Sequence, residues 1–153
     1  MSGVANAGHI RPPSVYLGSI ALGVAVHFVS PVRLVPDAIS APVGGIGTLA
    51  AVALFVYAVR TFKVAGTPVP GNLPTTTIVR TGPYRFSRNP IYLAFSLFQL
   101  GIALWMNSLW LVVTLAAAVA VMSLVVIPRE ERYLETRFPV EYSAYKSSVR
   151  RWF

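Results

Sequence analysis

Glu130 and Glu131 stand side by side in Pro128-Arg129-Glu130-Glu131-Arg132, directly after a run of 19 residues without formal charge, Leu109 to Ile127. Carboxylates at the edge of an apolar run can accept hydrogen bonds from an ammonium group or from sugar hydroxyls. On a helix the two point about 100° apart and cannot both face one ligand equally. Glu130 shares a face with Tyr133 and Leu134, so it is expected to be the inward one. A second polar cluster offers hydroxyls, free backbone donors and tyrosines. Its first part, Thr75-Thr76-Thr77-Ile78-Val79, is β-branched in character, and Thr81-Gly82-Pro83-Tyr84 reads as a turn. Arg88-Asn89-Pro90 then opens an apolar run, with Pro90 suited to the first turn of a helix. With no cysteine and only His9 and His27, the three or four ligands of a zinc site cannot be assembled from histidine and thiolate. No metal is expected, and His27, alone in an apolar run, reads as a packed or interfacial residue.

The elements that position these clusters follow from charge and hydropathy. The 153 residues are 55% hydrophobic and 12% charged, against about 25% charged in an ordinary soluble domain. Charge-free runs cover Ser14 to Ser30, Val43 to Val59, Ile91 to Met106 and Leu109 to Ile127. A hydrocarbon core of roughly 30 Å needs about 20 helical residues, and Tyr16, Tyr57, Tyr92, Trp105 and Trp110 are placed to complete the shorter crossings at the interface. The pattern predicts an all-α polytopic membrane protein of about four transmembrane helices. It is read as one membrane domain over residues 1–153, with two N-terminal spans in 1–66 and a site-bearing core in 67–153. The first run is read as a span, not a cleaved leader, because no small-residue cleavage site follows it and three similar runs come after.

Only Asn107 and Ser108 separate the last two runs, so these must form an antiparallel hairpin. With both termini placed inside, twelve of the 13 basic residues fall on the cytoplasmic side and only Arg33 on the other. The net charge of +8 is thereby read as a topology signal. Nucleic acid is not an expected partner, since the cations flank apolar runs and do not line one face. The polar loop Arg60 to Asn89 is too long for a mere connector. In the tail after Arg129, Tyr133, Phe138, Tyr142, Tyr145, Val149 and Trp152 recur at near-helical spacing, the pattern of an amphipathic helix on a membrane surface, interrupted at Pro139. The hairpin holds loop and tail side by side, so two segments make one pocket.

The residues Thr-Gly-Pro-Tyr-Arg-Phe-Ser-Arg-Asn-Pro-Ile-Tyr (81 to 92), Pro-Arg-Glu-Glu-Arg-Tyr-Leu (128 to 134) and Glu-Tyr-x-x-Tyr-Lys (141 to 146) resemble the isoprenylcysteine carboxyl methyltransferase-like family of integral membrane methyltransferases, which is related to the phospholipid methyltransferases. The resemblance runs from about Thr67 to Phe153. It implies an S-adenosyl-L-methionine site between loop and tail, lined by Thr76, Thr77, Ile78, Val79 and Tyr84, with Asn89, Pro90, Ile91 and Tyr92 completing the wall. It also implies that Glu130 holds the ribose hydroxyls or the methionine ammonium, and that Arg85 or Arg88 pairs with the cofactor carboxylate. The arginine that prenylcysteine-methylating members carry one turn before the glutamate pair is Val126 here. The implied activity is methyl transfer to a lipophilic or membrane-bound acceptor, a small lipid or an isoprenylcysteine-like carboxylate; for so compact a chain a bacterial inner membrane is the expected location. Displacement at a sulfonium needs positioning above all, so no catalytic residue is named. The alternatives are phospholipid amine N-methylation, an NADPH-dependent membrane reductase, and a non-enzymatic membrane protein.

Overall fold

A computed structural model describes residues 10–69 and 73–153; His9 lies outside the described residues. The described chain is helical: α1 (Pro12–Val29), α2 (Asp37–Val64), α3 (Pro90–Trp105), α4 (Leu109–Val121), α5 (Ile127–Arg137) and α6 (Pro139–Ser148). α1, α2 and the continuous Leu109–Arg137 helix are long and apolar enough to cross a membrane, while α3 is shorter at 16 residues. The protein is an integral membrane protein whose four apolar helices match the four charge-free runs. Two of those helices outrun their predicted limits. α2 continues past Arg60 and Lys63 to Val64, because long basic side chains can lie along an apolar helix while their charges reach water. The fourth helix continues past Ile127 through a π-helical turn, Met122–Val126, into α5. Pro128 has no amide hydrogen for the helical ladder, and the wider turn just before it lets the helical path go on.

Close approach of α2 and α3 depends on small residues. A Cβ at Gly44 would lie 2.7 Å from Trp105 Cα and 2.8 Å from the Gly101 carbonyl oxygen. Both are backbone atoms, which cannot swing aside. Gly44→Ala is therefore expected to cost about 1–3 kcal/mol, read as a lower unfolding temperature in detergent. Gly45→Ala, where a Cβ meets nothing within 4 Å, should be neutral; equal effects at the two positions would refute the close-packing argument.

Polar contacts fix the bundle from within. Gln99 on α3 is fully buried. It accepts a 2.6 Å hydrogen bond from Ser19 on α1 and donates to Leu111 O and Thr114 Oγ1 on α4 at 3.2 Å each. The hairpin tip is pinned as well. Asn107, at φ 50°, accepts from the amides of Leu34 and Val35 and donates to Val35 O and Asp37 Oδ1. The tip thus locks the α1–α2 connection at one end of the bundle and leaves loop and tail to organise the other.

Candidate functional site

At the loop-and-tail end, Thr75 to Arg80 runs without regular structure and a 3₁₀ turn, Gly82–Arg85, follows it. Gly82 sits at φ 58°, a left-handed conformation that glycine adopts without the steric cost of a Cβ. The tail does not lie free on a membrane surface. It breaks at Phe138, restarts with Pro139 in the first turn of α6, and turns its tyrosines inward: Tyr142 and Tyr145 are buried. The Tyr145 hydroxyl donates to Tyr84 O at 2.7 Å. Tyr84 also meets Phe62 edge-on, with ring centroids 4.9 Å apart.

These segments enclose a cavity of about 620 Å³, within the usual 300–1,000 Å³ of small-molecule sites. Of the residues read from the sequence, Thr77, Ile78, Val79, Tyr84, Asn89, Ile91, Tyr92 and Glu130 line it. Two do not. Thr76 is exposed, and its amide donates to Thr67 Oγ1 at 3.0 Å, while Pro90 is buried within the first turn of α3. Glu130 is 6% exposed and accepts a 2.6 Å hydrogen bond from the Tyr92 hydroxyl. That length is typical of a charge-assisted bond to a carboxylate.

Glu131 departs from expectation. It is as buried as Glu130 and also lines the cavity. The two side chains diverge, and each finds its own partners. Arg151 grips Glu131 with two atoms, Nε to Oε1 at 3.1 Å and Nη2 to Oε2 at 2.7 Å, and Arg88 Nη1 adds a third contact at 3.0 Å. Arg151 belongs to a strap that follows α6. The strap's carbonyls accept from the Arg88 amide and from the Asn89 side chain, each at 3.0 Å. Its Arg151 and Trp152 side chains donate to Ser123 O and Ser123 Oγ in the π-helical turn. Glu131, Thr75, Tyr142 and Tyr145 belong to the segments that the sequence brings together but stand outside the lining that the resemblance implies, and Arg151 stands outside both. For the two tail tyrosines the Glu-Tyr-x-x-Tyr spacing was the available signal; for Arg151 there was none nearby.

Among the described residues, three buried polar atoms on cavity-lining side chains have no partner: Thr75 Oγ1, Tyr84 Oη and Arg88 Nε. Burial raises the Tyr84 hydroxyl well above its ordinary pKa. Burial, with Glu131 adding to it, pushes Tyr142 up to about 12. Both stay neutral near pH 7 and remain able to donate. A ligand with several hydrogen-bonding groups, carrying both a cation and an anion, fits such a lining. A second space of about 340 Å³, lined by apolar side chains and the ring of Tyr16, lies between α1, α2 and α3. It shares Pro13, Phe55 and Phe95 with the first.

Comparison with known proteins gives four findings. The cobalt-zinc-cadmium resistance protein CzcN of Cupriavidus metallidurans is 36% identical over 77 residues, half of this chain and 35% of that protein. The chain therefore spans about a third of that relative's length. An uncharacterized protein of Haemophilus influenzae is 45% identical over 64 residues, 40% of this chain and 98% of its own. No solved structure matches. The phospholipid methyltransferase family model matches residues 40–141, a range that contains most of α2, the loop, the hairpin, Glu130 and Glu131, and the start of α6. On that match over more than half its length, the chain belongs to the phospholipid methyltransferase family.

Proposed function

We propose that the protein is an S-adenosyl-L-methionine-dependent methyltransferase acting on a lipophilic, membrane-borne acceptor, with loop and tail on the cytoplasmic side of a bacterial inner membrane. The observation that carries this reading is the adjoining pair of spaces. One sets carboxylates, an arginine and buried hydroxyls into a largely apolar wall; the other is apolar throughout and sits among membrane-spanning helices. Bound S-adenosyl-L-methionine supplies an activated methyl group on a sulfonium. Glu130, oriented by Tyr92, holds the ribose hydroxyls or the ammonium, and the aromatic faces of Tyr84 and Tyr92 suit a cation. Thr75 and Tyr84 offer hydroxyls, and the loop backbone at Thr77 to Val79 forms the remaining wall. The α1–α3 groove takes the acceptor's hydrocarbon part and leaves its reactive head at the cavity. Rate then comes from holding the two reactants in alignment.

Calorimetric titration of the detergent-purified protein is expected to give saturable, micromolar binding of S-adenosylhomocysteine and none of NADPH. Saturable binding of NADPH alone points to a reductase; binding of neither points to a non-enzymatic membrane protein. The family match also favours a second reading of the acceptor, a phospholipid amine. Lipids from cells with and without the protein, fed methyl-labelled methionine, separate the two readings by whether label enters a phospholipid headgroup amine.

A further inference from the structure

Arg88 and Arg151 compete for one carboxylate, and the geometry shows which of them is committed to it. Arg151 makes the two-point contact that a guanidinium fork forms with both oxygens of a carboxylate. Arg88 adds one nitrogen to an oxygen already in use. Its side chain is 9% exposed, and its Nε is buried with no hydrogen-bond partner among the described residues. It lines the cavity, whereas Arg85 is exposed and does not. A buried cation that shares its one anion and keeps an unused donor still carries a desolvation cost, which a second anion would offset.

Two guanidiniums around one carboxylate leave a net positive charge in this triad. If Arg151 were absent, Glu131 would have to draw its pairing from Arg88 alone. The strap builds in the opposite outcome. It supplies Arg151 to Glu131 and, through its carbonyls, fixes the Arg88 amide and the Asn89 side chain.

We infer that Arg88 is the carboxylate-binding residue of the cavity and that Arg151 is a positioning residue, satisfying Glu131 so that Arg88 stays available to a ligand carboxylate. This rests on the reading of the cavity as a site for S-adenosyl-L-methionine, whose methionine end carries both an ammonium and a carboxylate.

The test compares two probes by calorimetry on the full chain in detergent: S-adenosylhomocysteine, and its decarboxylated analogue S-adenosyl-3-thiopropylamine, which keeps the amine. The unaltered protein should prefer the first by roughly tenfold or more, as expected for a hydrogen-bonded charge pair. Arg88→Gln should bind both probes alike, near the affinity of the unaltered protein for the analogue. Arg151→Gln should lose most of the preference while changing the analogue's affinity less than about twofold, and Arg151→Lys should recover part of it. Circular dichroism melts show whether each variant is folded. If Arg88→Gln does not fold, the Arg151 pair carries the test by itself. Equal weakening of both probes in Arg151→Gln reduces the strap to a structural role and overturns the inference, as does an unchanged preference. Failure of the unaltered protein to bind either probe overturns the cofactor reading itself, and the inference with it.

Discussion

Glu130→Gln is expected to weaken S-adenosylhomocysteine binding roughly ten- to hundredfold, the usual range for losing a hydrogen bond to a charged group. The fold should survive. Glutamine keeps the shape and can still accept from the Tyr92 hydroxyl, which now sits 2.6 Å from Glu130 Oε1. The loss falls on the ligand because an amide carries no negative charge for an ammonium and pairs less strongly with ribose hydroxyls. Tyr92→Phe should cost less, because it removes the group that orients the carboxylate and leaves the carboxylate itself. Since Tyr92 acts through Glu130, the double variant should bind little worse than Glu130→Gln alone. Strictly additive losses would mean that Tyr92 contacts the ligand independently. Unchanged binding in Glu130→Gln would remove Glu130 from the site.

The largest stability effect is expected at Glu131. Glu131→Ala deletes a carboxylate that is 8% exposed and leaves two guanidiniums, on Arg88 and Arg151, without their shared anion. Removing one member of a buried charge cluster costs about 3–5 kcal/mol. The lower end applies here, because Arg151 is 35% exposed and can turn to water. A nearby pair provides the contrast. Lys146 and Glu135 meet at 2.6 Å with side chains 42% and 38% exposed, and an exposed pair is worth at most about 1 kcal/mol. In thermal unfolding in detergent, Glu131→Ala should therefore lower the midpoint clearly more than Glu135→Ala. Equal shifts would show that burial at Glu131 counts for little.

Much of the architecture was legible because charge is a long-range constraint in a bilayer. Charge-free runs had to become helices, and a two-residue link between apolar runs had to become a hairpin. Helix ends were less legible. Arg60 and Lys63 end the charge-free run but not α2, and Pro128 interrupts the ladder but not the helical path. In the site, the loop was recognisable by residue type while its backbone phase was not. Thr75 and Thr77 face the cavity and Thr76 faces out, the two-residue alternation of extended chain. Glu131 was set aside on the argument that neighbouring helical carboxylates cannot share one ligand. That angular argument holds. Glu131 is nonetheless buried because it has a different task, and its partners lie 43 and 20 residues away, where no local period can reveal them.

The π-helical turn at Met122–Val126 has a consequence for register. A π turn takes one more residue than an α turn to close, so everything after it is rotated by about 100° relative to an uninterrupted helix. Glu130 and Glu131 owe their headings to that added residue. Without it Pro128, Glu130 and Glu131 would turn together, taking Glu130 away from Tyr92 and Glu131 away from the strap. The turn is the phase setting of the fourth helix: a single local widening decides which way the glutamates face.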